Sequence, residues 1–294
     1  MKTSRFSALL QREWMQHKIG WIVTLLAPPL LFLLILPFGQ VEGVPQHMPV
    51  VMAMMGVVAS MMGVLVICLI SATFQLPSLA RRDVQDRSIE FWLSLPASHS
   101  ESIGATLLAH VVLMPLVAAV AGFGWGYLIA SALALKVGGV ATWMSIPWGS
   151  VISLSVPLLL RVVFGLVLAL LWLAPLVMIV MNASAWLKRW GIPALAVACV
   201  LVFVILPKAY GIDTFNELLN HQWIGAMQAV INDPHGLGIS KEQLQNVEGL
   251  STGSWALPDA WAATQALASP NLIGGLVLAG AGFALLVFRR SRAH

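Results

Sequence analysis

Pro77-Ser-Leu-Ala-Arg-Arg-Asp-Val-Gln-Asp-Arg-Ser-Ile-Glu-Phe-Trp-Leu-Ser-Leu-Pro-Ala-Ser-His-Ser-Glu101 is a polar island in an apolar chain. Met48 to Phe74 precedes it and Ile103 to Leu135 follows it, and neither run holds a charged side chain. Each is longer than the roughly 20 residues that a helix needs to cross a bilayer core of about 30 Å. Lipid would not accept Arg81, Arg82, Asp83, Asp86, Arg87 and Glu90, so the island is a loop outside the membrane core. Its three arginines place it on the cytoplasmic side by the positive-inside tendency. Pro77 and Pro96 bracket it, each disfavouring a helix that runs through. Ser98 and Glu101 then have capping-box spacing, so a new helix is expected to begin there. Phe91, Trp92 and Leu93 set apolar teeth among the charges, and water-facing aromatics usually rest on something. A docking surface explains them better than a solvated connector does.

The composition agrees with a chain organised by lipid. Hydrophobic residues make up 59% of the 294 and charged residues 10%, where a soluble domain carries roughly a quarter charged. The expected class is an all-α integral membrane protein. The net charge of +4 is spread over short loops, so it marks topology and not a nucleic-acid face. Cys68 and Cys199 lie in apolar runs without metal or redox spacing and are expected to be packing residues. No cleavable signal peptide is expected, because the first apolar run is too long for one and no small-residue cleavage site follows it.

Residues 1–18 show Phe6, Leu9, Leu10 and Trp14 at helical spacing with Lys2, Arg5, Arg12 and Lys18 between them. That pattern predicts an amphipathic helix lying in the membrane interface, its cations toward the headgroups. Ile19 to Phe38 is the first span, with Pro28-Pro29 expected to kink it. Met48 to Phe74 is the second, and Met52, Met55 and Met62 lie on its methionine-rich side. Such a stripe suits an adaptable packing or pathway-lining surface. Copper ligation is the sharper reading, but no cysteine or histidine joins the stripe. In the third run, Gly122, Gly124 and Gly126 offer a small face for close helix approach. His110 is its one ionisable group; without an acidic partner it reads as a hydrogen-bonded interior residue and not as a proton path.

Lys136 to Gly149 is expected to be an outer loop, with Trp143 and Trp148 in an aromatic belt. A fourth span follows within Ser150 to Ala183. Arg161, inside it, has three options: to snorkel outward, to pair with an acid of the outer region, or to line a cavity. Lys188 and Arg189 mark a short inner loop before a fifth span, Ile192 to Leu206. Residues 208–269 form an outer insertion. Thr214 and Glu217 are spaced as a capping box that opens a helix with Phe215, Leu218, Leu219, Trp223, Met227, Val230 and Ile231 on one face. A second short helix is expected from Ser240 to Gly249, and a third over Pro258 to Ala268. This set is too small for a good core of its own, so it should rest on the membrane or on a second copy. Residues 270–294 hold the sixth span and a basic tail. With both termini cytoplasmic, only Lys136, Arg161, Lys208 and Lys241 of the sixteen Lys and Arg fall outside or toward it. Spans one to five, with the island at 77–101, thus occupy 19–207.

This layout resembles the ABC-2 type permeases, the transmembrane subunits of bacterial ATP-binding-cassette exporters. The most specific match is Asp86-Arg87-Ser88-Ile89-Glu90-Phe91-Trp92-Leu93-Ser94-Leu95-Pro96-Ala97-Ser98. It is similar to that family's acidic-glycine-threonine-leucine-glutamate stretch followed by a leucine pair, proline and serine, with Arg87-Ser88 where glycine-threonine is commoner. The resemblance implies a coupling helix that docks into a groove of the ATP-binding subunit. Asp83, Asp86, Arg87 and Glu90 would make the contacts, and Phe91 and Trp92 would anchor the loop. It also implies a bacterial inner-membrane location, two permeases working with two ATPases, and a homodimer of this chain. No Gly-rich phosphate loop, His-Glu-x-x-His or Gly-x-Ser-x-Gly occurs, so the chain is expected to be no enzyme and to bind no cofactor, with ATP and Mg in the partner subunit. The scattered His47, His221 and His235 of the outer face have no metal-site spacing. An export substrate would be hydrophobic or amphipathic: a lipid, peptide or drug-like molecule. The alternatives are an ion-coupled secondary transporter, disfavoured by the scarcity of acidic residues in the spans, and a non-transport membrane scaffold.

Overall fold

The computed structural model describes residues 2–41, 48–85, 98–232 and 255–292, and within these it is helical without a β-strand. Five stretches are long and apolar enough to cross a membrane. The first is α1 (Lys2–Ile35), a single helix that runs through Pro28 and Pro29. The expected interfacial segment and first span are thus one continuous element. Its buried side also differs from the expectation of cations facing headgroups. Leu9, Arg12, Glu13 and Trp21 face the protein, while Trp14, Met15 and Ile19 face outward.

Helix α2 (Pro49–Gln85) carries the second apolar run past Pro77 into the charged turn that holds Arg81 and Asp83. The chain then re-enters order at α3 (His99–Leu107). Ser98 accepts from the Glu101 amide and its own amide donates to the Glu101 carboxylate, so the expected capping box is present. A π-helical turn, Leu108–Leu113, joins α3 to α4 (Met114–Met144). The close approach expected of the glycines is there at two of three positions. A Cβ on Gly126 would lie 2.6 Å from the Val57 Cα, and one on Gly122 would lie 2.8 Å from the Met61 Cα, whereas Gly124 meets nothing. Gly56 reciprocates against Ala130. Small residues therefore let α2 and α4 touch backbone to backbone, the main source of helix association in lipid.

The expected outer loop at Lys136–Gly149 is mostly helix. Gly139, with φ +70°, makes a break that only glycine takes without cost, and the helix continues to Met144. A tight turn then leads to α5 (Trp148–Leu187), and Trp143 and Trp148 stand 6.5 Å apart across it. The apolar stretch Trp148–Tyr210 is two arms. Lys188 has φ 53°, the one non-glycine left-handed residue among those described. A Cβ on Gly191 would fall 2.7 Å from the Ser184 Cα, so the chain folds back there. The return arm is α6 (Gly191–Val200), a π turn (Leu201–Ile205) and α7 (Leu206–Tyr210).

In the segment expected to form the outer insertion, α8 (Thr214–Val230) starts one residue after Asp213, and no side chain caps it. The Thr214–Glu217 capping box is thus not formed. Within the chain, the small face of this helix packs. Gly225, Ala226 and Ala229 are buried, while Phe215, Leu218, Trp223 and Met227 stay exposed. Gly225 seats on the Trp172 ring and Gly165 of α5 on Ala229 and Val230, with α9 (Ala256–Gln265) completing this small core. The large apolar side chains are left for lipid or another surface. The expected helix over Ser240–Gly249 lies outside the described residues. Helix α10 (Pro270–Arg292) packs along α5 through Ala279, Leu286, Met178 and Ala185, and ends in Arg289, Arg290 and Arg292.

Candidate functional site: a buried carboxylate between two histidines

Glu13 is completely buried, although it belongs to a helix whose other charges are basic. Taking a carboxylate out of water costs several kcal/mol unless partners replace the water. Among the described residues, Arg12 and Thr106 donate to Oε1, Arg12 at 2.6 Å and the Thr106 hydroxyl of α3 at 3.0 Å. The second oxygen faces imidazoles. Glu13 Oε2 lies 3.5 Å from His110 Nε2 and 3.9 Å from His17 Nε2. His17 is one helical turn after Glu13, so the i,i+4 spacing places both on the same face of α1. His110 comes from the π turn between α3 and α4. Such turns are frequent at functional sites because the extra residue re-aims the side chains around it.

The aromatic surroundings fix the rings. His110 meets His17 edge-on at 4.5 Å and Trp21 edge-on at 5.1 Å. Beyond His110 lies a cavity of about 10 Å³, room for roughly one water, walled in part by Trp21, Thr24, Ser71, Gln75 and Cys68. The cluster therefore joins α1 to α3, two turns after the capping box that ends the polar island. Among the described residues, Glu13, His17 and His110 are the group of three or more metal-ligating side chains that converges. Chemically it can hold a proton or a cation.

His110 was expected to lack an acidic partner, and it has one. The partner was missed because Glu13 reads as one acid in a solvated basic segment. The available signal was Glu13-x-x-x-His17-x-x-x-Trp21, an acid and two rings on one helical stripe.

Of the sequence-derived coupling residues, Asp83 falls in the last turn of α2, and Asp86, Arg87, Glu90, Phe91 and Trp92 lie outside the described residues. The three methionines do not share one surface. Met52 is fully buried by Ala53, Ala130 and Val151, so it is a packing residue within the chain; Met62 is part-buried beside Met61, and Met55 is half exposed. Arg161 takes the pairing option. It is buried, its Nε donates to Asp259 Oδ2 of α9 at 2.7 Å, and its Nη1 donates to the Ala229 carbonyl at 2.8 Å. His221, expected on the outer face, sits with Nδ1 2.7 Å from the Glu217 carbonyl and joins no cluster of ligands among the described residues. Comparison with protein-family models, with curated proteins and with solved structures returns no match in any of the three.

Proposed function

We propose that this chain is the membrane-embedded permease of an ATP-driven exporter, coupled through residues 77–101 to a separate ATPase subunit. One observation carries the reading: the island, with its resemblance to the ABC-2 coupling segment, is held between two ordered helix ends. Helix α2 extends past its apolar run to Gln85, and α3 restarts at a formed capping box. A displacement at either end of the island would reach a helix directly, which supports the reading. Counting the arms on either side of Lys188 separately, the apolar helices make six crossings, with both termini and the island in the cytoplasm of a bacterial inner membrane. The apolar windows of α1 and α10 are only 11% and 17% buried, against 44% for the other three stretches. Those bare faces suit lipid and a second copy, as a two-permease, two-ATPase assembly requires.

The anchor provides the test. In sequence Trp92 stands close to several charged residues, and an aromatic anchor with a polar rim is the arrangement in which few residues carry most of the interface energy. Trp92→Ala should weaken ATPase retention by on the order of 2 kcal/mol, roughly thirtyfold, while the chain still inserts. Arg82→Ala should do little, because rim charges are screened. Co-purification of the nucleotide-hydrolysing subunit with each variant measures this. Equal retention by Trp92→Ala would reduce the island to a connector.

Topology is tested separately. In a cysteine-free background, single cysteines at Ser88 and Ser251 should label from opposite sides of the membrane. Labelling of both from one side overturns the arrangement. A second reading, ion-coupled transport, gains from the buried Glu13 beside two histidines. Proteoliposomes separate the two, since export should follow ATP and the ATPase and not an imposed pH gradient.

A further inference from the structure

We propose that Glu13, His17 and His110 form a binding site for a divalent transition-metal ion of the zinc class, which pins α1 to the helix leaving the polar island. The distances are the first argument. A carboxylate hydrogen-bonded to a charged imidazole is expected at about 2.7–2.9 Å. The observed Oε2 to Nε2 separations of 3.5 and 3.9 Å are too long for that. They are close to the spacing of two ligands on one ion. Zinc bonds of about 2.0–2.1 Å at tetrahedral angles put neighbouring donor atoms about 3.3–3.4 Å apart. One donor atom from each of the three residues lies within 4.8 Å of the others, so small rotations of the side chains bring all three onto a common centre.

A second, independent observation is the state of His110. The residue is 2% exposed, and its Nε2 has no hydrogen-bond partner among the described residues. Leaving a buried polar atom unsatisfied is unfavourable, and a ligand at that nitrogen removes the cost. The third argument is the support of the carboxylate. Arg12 and Thr106 both donate to Oε1, and Oε2 lies toward the two imidazoles. Orienting a ligand through its other oxygen is the usual role of groups around a metal. Two imidazoles and one carboxylate suit zinc and its neighbours, whereas magnesium and calcium take oxygen ligands alone. Three protein ligands leave a fourth position for water. The site draws on α1 and on the π turn beyond α3, so an occupied site fixes the position of one against the other. This holds whether or not the chain works with an ATPase.

The experiment uses the full chain, purified in detergent, stripped with a chelator and titrated with zinc against a chromophoric competitor. One zinc per chain is expected, with a Tm that rises on addition of the metal. Cobalt in its place should give the intense visible absorption of a four-coordinate site. His17→Ala, His110→Asn and Glu13→Gln should each weaken binding at least tenfold, and His221→Ala should leave it unchanged. His17 is partly exposed, so His17→Ala keeps the comparison valid even where the Glu13 or His110 variants do not fold. Binding of less than one zinc per chain, or binding that His17→Ala leaves intact, overturns the proposal.

Discussion

Asp259→Ala is expected to loosen the outer helices α8 and α9 from α5 by about 3–5 kcal/mol, the usual cost of orphaning one partner of a buried ion pair. Arg161 cannot neutralise itself by losing a proton, and its side chain is 1% exposed. Without Asp259 the guanidinium would keep one short bond, to the Ala229 carbonyl. The Asn232 amide would lose the same carboxylate oxygen, which it now reaches at 3.2 Å. The core beneath combines Ala226, Ala229 and Ala263 with Leu168, Trp172 and Leu272, and an unpaired charge left against it would still have to be hydrated. Hydrogen exchange of α8 and α9 amides should therefore accelerate in the variant, while α2 and α4 keep their protection. The double replacement Arg161→Met, Asp259→Leu should recover most of the loss, because two packed apolar groups do not carry the desolvation cost. Unchanged exchange in Asp259→Ala would mean that the pair is dispensable and that packing alone holds the insertion.

This pair also shows how far the sequence could be read. An arginine in an apolar run demands an answer, and pairing with the outer insertion was among the options. The partner itself was not legible, because Asp259 is 98 residues away and nothing local marks it. The spans were legible for a simpler reason: apolar run length maps directly onto helices that cross lipid. The glycine face of α4 was readable from spacing alone, since residues four apart fall on one side. Gly124, two residues from each neighbour, points away from α2 for the same reason.

The errors have physical causes as well. Residues 1–18 were separated from the first span because charge changes at Lys18, yet backbone hydrogen bonding does not stop where polarity does. At α8, the bulky apolar side was expected to rest on the membrane or on a second copy, and within the chain it is the small side that packs. A glycine and two alanines allow the close helix approach that Phe215 or Trp223 would prevent. The Glu13 cluster escaped because tertiary burial, not local sequence, turns a surface acid into a buried one. His110 and Glu13 are brought together only when α1 lies along α3.

Gly126→Leu is expected to cost about 3 kcal/mol or more and to split α2 from α4, whereas Gly124→Ala should be neutral or slightly stabilising. Overpacking a well-filled core usually costs about 1–3 kcal/mol, and neighbouring side chains relieve part of it by changing rotamer. Here no rotamer helps. The atoms in the way are the Cα, carbonyl carbon and oxygen of Val57, at 2.6, 3.2 and 3.0 Å from a Cβ on Gly126. The helices must separate, and Gly122 against Met61 and Gly56 against Ala130 lie on the same seam. In lipid there is no hydrophobic gain to replace the lost contact, because the hydrocarbon is as apolar as the helix. At Gly124 nothing lies within 4 Å of an added Cβ, so alanine there changes only backbone entropy, in favour of the helix by up to about 1 kcal/mol. Thermal unfolding of the two variants in one detergent measures the difference. The seam also bears on function, because α2 leads into the island and α4 continues the helix that leaves it. Under the proposed permease reading, two helices with their backbones in contact would move as one body and carry a push on the island along both. On that reading, Gly126→Leu should lower ATP-driven transport even where the protein remains in the membrane and retains the proposed ATPase subunit. If transport and unfolding both match the parent, the seam is not rigid and the island has no such lever to act on.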